Sequence, residues 1–566
     1  MKRNRFELSC GVVSWAQIFV FCLVGLTGVD GFGQAVETIS ADQEVRLVLM
    51  LIVDQGRADY IDRFETLTTG GFGRLLREGV RFTEAHHQHA ITATAPGHAT
   101  IATGAYPSHS GIVGNLWYEE DGRKAVSCVA DPQSPVVGMD SKNQGNASPR
   151  NLLVTALPDW IRQADPGARV FSISRKDRAA VLMGGKNPEA AFWYDGSTGD
   201  FVSSSYYVTQ LPAWVQAFNR RELPAEWFGR LWYPLVDVRS RFSELKIEPT
   251  DFGWFQWGFP HAFGTASPSP DAHFFSSFGG TPMMDAYLLE FAKTLIKEEK
   301  LGQDFHVDYL SVSLSALDSV GHDYGPNSPE LLDEWLRLDK SLGDFFQFLE
   351  YHVGLRHVLI VLTSDHGAME LPEYLQALGL PGKRLSDEDI ACVQEQGLAF
   401  LRRYGAEEDW FLNGFYLNYA ALGRNNLLRE NAENEAARSL ERCSFIRKVW
   451  TRTELEKPAG DHFHTMFRNG HCPGRSPDLT IQPEEYYLPQ TGTGTSHGTP
   501  YRYDTHVPLI IRVPGQPAGR VEDPVATVDI APTVADLLGI PTPATVDGRS
   551  LAPYLPADQQ EVSPRQ

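Results

Sequence analysis

A three-layer α/β/α fold around a mostly parallel central sheet is the architecture that this 566-residue chain predicts. Three observations point to it. Apolar runs rich in β-branched residues recur at 45–53, 168–174, 307–314, 357–363 and 507–513, with helix-length segments between them. The runs are continuous rather than alternating, as strands covered on both faces are. Acidic, basic and histidine residues follow directly behind several of them, at the carboxyl edge where open α/β sheets bind ligands.

The length alone would suggest several domains. The chemistry-bearing residues, however, run from Asp54 to His497, and they meet at one site only if nearly the whole chain is one unit. The expectation is therefore a leader at 1–35 and a single domain at 36–566, with insertions at about 187–290 and 370–480.

Lys2, Arg3 and Arg5 open the chain, an apolar stretch from about Ile18 to Leu26 follows, and Gly33 and Ala35 are small. This is the pattern of a secretory signal, so the mature protein is expected to be periplasmic or secreted. The stretch between Gln17 and Thr27 is short for a bilayer span, and bulky Phe21 before Cys22 argues against a lipobox. No later segment is apolar enough to cross a membrane, so no stable insertion is expected after cleavage. In an oxidising compartment Cys128, Cys392, Cys443 and Cys472 are able to form two disulfides. The sequence leaves their pairing open, and buried free thiols are the alternative.

Taken in order, the run at 45–53 ends at Asp54. His86, His87 and His89 in HHQH form a local cluster that nothing nearby completes, and they read as packing or surface residues. Thr94 in TATAPGHAT precedes Pro96 and a stretch with helical spacing. Proline favours the first helical position, so this hydroxyl is expected where backbone N–H groups favour an anion, a plain helix cap being the alternative. Behind 168–174 stand Lys176 and Arg178, which on their own would also suit an exposed charged turn. The segment 187–290 is dense in aromatic residues (FWYDG, EWFGRLWYPL, DFGWFQWGF) and reads equally as a cap over a pocket or as packed core. Asp318 and His322 follow 307–314 at a spacing that one helical turn places on one face. Asp365 and His366 follow 357–363, His497 in TGTSHGTP precedes 507–513, and the tail after Leu555 is expected to fray.

Asp54, Asp318 and Asp365 with His322, His366 and His497 supply what two tetrahedral Zn2+ ions need if each keeps one position open. Such a pair can hold both the attacking and the leaving oxygen of an in-line displacement. Each fragment alone is weak, and their joint occurrence with Thr94 is strong. Mixed Asp/His sets also accept cobalt, manganese or iron. The net charge of −21 argues against nucleic-acid polymers as partners. Small anions remain compatible, because bound dications invert the local potential.

These motifs resemble the alkaline phosphatase superfamily, in the branch of nucleotide pyrophosphatase/phosphodiesterases and threonine-dependent alkaline phosphatases of the PafA type. The resemblance runs from about Val45 to Leu555, including VATVDIAPTVADLLGIP and DGRSLAPYL, and is loose in the central inserts. It implies that Asp318, His322 and His497 hold one zinc, and that Asp54, Asp365 and His366 hold the other beside Thr94, itself a ligand and the nucleophile. It further implies that Asn115 in GIVGNLWY holds phosphate, and that Lys176 and Arg178 form the Lys-x-Arg pair of the monoesterases. Physical chemistry agrees with the last point, since a monoester dianion calls for more cationic donors than a diester. The implied activity is hydrolysis of small phosphate monoesters through a phosphothreonine, releasing inorganic phosphate. A phosphodiesterase or nucleotide pyrophosphatase would use the same metals and threonine. A sulfatase would carry Cys/Ser-x-Pro-x-Arg, where this chain has Thr94-Ala95-Pro96-Gly97-His98. An exported, noncatalytic metal- or phosphate-binding protein is the alternative of another class.

Overall fold

Leu47–Val53 (β1) reads LVLMLIV, and none of its seven residues is more than 1% exposed, so only a strand sandwiched between two layers suits it. The computed structural model describes residues 45–556 apart from 120–123, 140–144, 238–239, 242–257, 265–266, 404–410, 413–414 and 459. The expected leader at 1–35, most of DFGWFQWGF and the tail beyond 556 lie outside the described residues.

In chain order the sheet continues with β2 (Val80–His86), β3 (Val136–Val137), β4 (Val170–Ser174), β5 (Ala190–Tyr194) and β6 (Phe201–Ser204). It is completed by β7 (Asp308–Leu314), β8 (Val358–Thr363), β9 (His506–Arg512), β10 (Gly519–Val521) and β11 (Val525–Ala526). These make an 11-stranded sheet in the order β10-β2-β9-β8-β1-β7-β4-β5-β6-β3, with β11 beside β2. The block β8-β1-β7-β4-β5 is parallel throughout. β9 runs antiparallel to both β8 and β2, and β6 runs antiparallel to β5. All five apolar runs are sheet strands, and the architecture is the mostly parallel one.

Alternation along each strand separates two cores. Leu47, Leu49, Leu51 and Val53 face helices α3 (Pro282–Glu298) and α5 (Pro329–His352), whose Leu288, Phe291, Leu338 and Leu342 share their cluster. On the other face, Ala191, Trp193 and Val202 pack with Ala95 and Ala99 of α1 (Thr94–Thr103) and Ala180–Leu182 of α2 (Asp177–Gly184). Burying each large apolar side chain contributes about 1.5–3 kcal/mol, so both cores fix the strand register firmly.

Much of the described part of the aromatic stretch packs into the core. Ala190–Tyr194 and Phe201–Ser204 are sheet strands β5 and β6, and Phe192, Phe201, Phe218 and Phe291 interlock edge-to-face or stacked at centroid distances of 3.9–6.0 Å. Within 370–480, Ile446–Thr451 pairs with Leu479–Pro483, and Leu417, Ala436, Leu440 and Val449 form a separate small core. Here the cysteine expectation needs correction: Cys392 and Cys443 are bonded, whereas Cys128 and Cys472 are free and buried. Among the described residues no helix is long and apolar enough to cross a membrane.

Candidate active site

Parallel pairing delivers several candidate residues to one level. Val53 lies opposite Leu314 and Ile52 opposite Thr363, so Asp54, the turn into α4 (Ala316–Tyr324) and Ser364–His366 all leave the same edge. Asp54 is anchored by its own N–H, which donates to Leu314 O at 2.9 Å. Asp318 and His322 stand one turn apart on α4, with Asp318 Oδ1 3.2 Å from His322 Nε2. His497 arrives from a distant loop and sets its Nε2 3.9 Å from the same oxygen.

Two trios result, Asp54/Asp365/His366 and Asp318/His322/His497, each with one donor atom per residue within 4.8 Å of the others. All three imidazoles are oriented alike. Nδ1 donates to a backbone carbonyl in each case: Thr495 O at 2.7 Å for His322, Gly367 O at 2.9 Å for His366 and Thr92 O at 2.7 Å for His497. In neutral His366 and His497 that leaves the Nε2 lone pair facing the carboxylates, which is how histidine metal ligands are held, whereas His322 Nε2 shares a proton with Asp318 that a metal would replace.

The donor set fits bound cations. Asp54 Oδ1 and Oδ2, Asp365 Oδ2 and His366 Nε2 are buried without a hydrogen-bond partner. His366 Nε2 nevertheless lies 3.5 Å from Asp54 Oδ1 and 3.4 Å from Asp365 Oδ2. Lone pairs packed this way in a dry interior are costly unless a positive charge joins them. Lys176 supplies one such charge, its Nζ lying 2.6 Å from both Asp54 Oδ2 and Asp318 Oδ2; the Asp54 contact is ionic and lacks hydrogen-bond geometry. Zn2+ suits the mixed oxygen and nitrogen donors of both trios.

Charge is unevenly shared among the acids. Burial, with Asp318 and Asp365 close by, pushes the Asp54 carboxyl above its ordinary range. Burial also works against Asp318, but Lys176 and His322 outweigh it and hold that carboxyl well below the range. Burial takes His366 down to about 4 and His497 down to about 3, so both are neutral and free to ligate. His322 is raised to about 9, its hydrogen bond to Asp318 overcoming burial.

Thr94 opens α1 itself, and Pro96 stands third in the helix rather than first. Its Oγ1 lies 3.4 Å from Lys176 Nζ. The Ala95 N–H donates to Asn115 Oδ1 at 2.8 Å, which brings Asn115 to the same helix end. Arg178 lies in the first turn of α2, two residues beyond Lys176, with its Nε buried and unpartnered.

Sequence reasoning passed over two residues that tie these parts together. Gln55, at φ 64°, donates its N–H to Asp365 Oδ1 at 3.2 Å and its Nε2 to Asp318 Oδ1 at 3.0 Å, linking the two trios. His98, fully buried, bonds Thr94 O through Nδ1 and Ser313 Oγ through Nε2, both at 2.8 Å, and sets Nδ1 3.2 Å from Asp365 Oδ2. Only the fourfold spacing of Thr94 and His98 hinted at the second; nothing in the sequence signals the first. Of the HHQH cluster, His87 and His89 are buried, while His86 joins Glu84 and His506 in a separate group.

The family model for type I phosphodiesterase / nucleotide pyrophosphatase matches residues 48–506. Alkaline phosphatase PhoV of Synechococcus elongatus is 35% identical over 528 residues, covering 90% of this chain and 93% of that protein. Alkaline phosphatase PafA of Elizabethkingia meningoseptica is 32% identical over 544 residues, covering 94% and 98% respectively. The crystal structure of wild-type PafA matches with a TM-score of 0.79 at 31% identity, over 90% of this chain and 98% of that one. Sheet order, edge site and these likenesses define an alkaline-phosphatase-like α/β fold. The chain belongs to the type I phosphodiesterase / nucleotide pyrophosphatase family.

Proposed function

We propose that this protein is an alkaline phosphatase that hydrolyses small phosphate monoesters through a phosphothreonine at Thr94. The observation that carries the reading is Thr94 Oγ1 lying 3.4 Å from Lys176 Nζ, which itself contacts Asp54 and Asp318, one carboxylate of each Asp/His trio. The names of the two near-full-length relatives support ester hydrolysis. Asp318, His322 and His497 are assigned one Zn2+, and Asp54, Asp365 and His366 the other, with Thr94 Oγ1 completing its shell. Bound there, the ions supply acidity to the hydroxyl and stabilisation to oxygen charge at both ends of the displacement.

Thr94 Oγ attacks phosphorus in line and gives up its proton as the new P–O bond forms. The ester P–O bond breaks, and the departing alkoxide is protonated to the free alcohol. Water then attacks from the vacated side, the Thr94 Oγ–P bond breaks, the hydroxyl regains its proton, and inorganic phosphate leaves. Asn115 Oδ1 is already engaged by the Ala95 N–H, so the Asn115 Nδ2 group is left to donate to a nonbridging oxygen. Lys176 and Arg178 are assigned the remaining oxygens, and the start of α1 adds the fixed dipoles that suit a loose, charge-spread transition state. The leader expected at 1–35 makes this a periplasmic or secreted activity, and the charge of −21 fits small substrates rather than nucleic-acid polymers.

Acid quench of turnover on a labelled aryl phosphate should trap label on the Thr94 peptide, and Thr94→Ala should lose label and roughly a thousandfold or more in kcat/KM. A chiral phosphorus should show net retention. Net inversion would remove the covalent step. Faster turnover of a bis-aryl diester than of the aryl monoester would shift the reading to the phosphodiesterases for which the family is named.

A further inference from the structure

His86 and His506 are directly opposed across the antiparallel β2–β9 ladder, and their rings stack at 4.6 Å with only 14° between planes. Glu84, two residues before His86 on β2, projects from the same face and places Oε2 3.2 Å from His86 Nε2. His506 Nε2 donates to Thr83 O at 2.7 Å, which leaves Nδ1 with its lone pair. His86 Nε2 lies 3.2 Å from Glu84 Oε2, to which it donates when it carries the proton, and 3.3 Å from Arg502 Nη1, from which it accepts when it carries the lone pair. A metal ion in place of that proton would take the same imidazole nitrogen and the same carboxylate oxygen. Arg502 approaches from the rim, bonding Glu84 Oε2 at 2.8 Å and Oε1 at 2.9 Å with a side chain 58% exposed.

We infer that Glu84, His86 and His506 form a further divalent-metal site, selective for a late first-row ion such as Zn2+ or Cu2+, that clips β2 to β9. One donor atom from each residue already lies within 4.8 Å of the others. Two nitrogens and one carboxylate oxygen match the ligand set of three-residue zinc sites, whose fourth position water takes. Burial takes His86 down to about 4 and Arg502 takes Glu84 down to about 2, so both ligands stand in their binding forms at neutral pH. The group borders a surface cleft of about 550 Å3 lined also by Asp59, Asp62 and Glu522, each paired with an arginine: Asp59 with Arg57, Asp62 with Arg81 and Glu522 with Arg520. An exposed ion pair such as Arg502–Glu84 contributes little, so a metal displaces it at small cost. The two strands are joined only through the fold, since His86 and His506 stand 420 positions apart (506 − 86).

The test is independent of the ester chemistry. Purified full-length protein equilibrated with Zn2+ and counted by elemental analysis should hold one ion more than His86→Ala or His506→Ala, whatever the active-site trios retain. Cu2+ added to the Zn2+-loaded protein should give a two-nitrogen electron paramagnetic resonance signal that both variants lack, over and above any signal from the Asp318/His322/His497 trio, which also offers two nitrogens. Arg502→Met, which frees Glu84, should tighten this binding at least severalfold and raise Tm further on saturation. Equal metal counts in wild type and both alanine variants, or unchanged affinity in Arg502→Met, would overturn the site.

Discussion

Lys176→Ala isolates the feature on which the proposed monoester preference rests. Unit charges about 4 Å apart attract by about 4 kcal/mol at an effective dielectric near 20. Asp54 Oδ2 and Asp318 Oδ2, each 2.6 Å from Nζ, already claim part of that field. Taking half as available to substrate leaves about 2 kcal/mol, or about 30-fold in kcat/KM. A monoester dianion offers one more charged oxygen to this ammonium than a diester does. The loss should therefore be about 30-fold for an aryl phosphate and within about threefold for a bis-aryl phosphate, measured side by side on zinc-loaded protein with metal content checked. Equal losses on both esters at unchanged metal content would refute the argument, leaving Lys176 as a counterweight to the two aspartates and no more.

Other consequences are equally direct. In Gly97→Ala the new Cβ would meet Asp365 O at 2.1 Å, backbone that cannot yield, so α1 must retreat from the Asp365 loop. Unfolding should show a loss of about 1–3 kcal/mol together with weaker metal retention, and wild-type behaviour in both would contradict the close approach. Chelation should lower Tm reversibly, because Asp54, Asp318 and Asp365 are buried together, and a Tm indifferent to chelator and to added Zn2+ would count against bound metal. Burial pushes the Asp504 carboxyl up to about 7, although its Oδ2 accepts from Thr499 N and Oγ1. Its proton is held more tightly in the folded chain, so that stability is complete below the ordinary Asp value and lost as pH rises toward 7. Asp504→Asn keeps an acceptor and can place its amide where Oδ1 lacks a partner. The variant should match wild type near pH 4 and be the more stable near pH 8, and parallel stability curves would exclude the assignment.

What the chain states locally and what it states only when folded differ for physical reasons. The five apolar runs are legible because a strand buried on both faces must be apolar at every position, as Leu47–Val53 is, and their carboxyl ends place Asp54, Lys176 and Asp365 at one edge. β5 and β6 are hidden in the aromatic stretch, because FWY composition suits a cap and a core equally until Phe192 and Phe201 are seen against Phe291. Residue identities likewise announce a set of acids and imidazoles, and their division into two trios is implied by the family resemblance but not by composition or spacing. That division depends on strand order, on the backbone carbonyls that orient each imidazole, and on Gln55 in a left-handed conformation. Cys392 and Cys443 meet across a separation of 51 residues, and His86 meets His506 across the sheet, by the same logic. Local sequence thus determines periodicity, composition and the inventory of reactive groups. Contacts between residues hundreds of positions apart are decided by which strands pair and in what register, and that is settled only by burying the whole core at once.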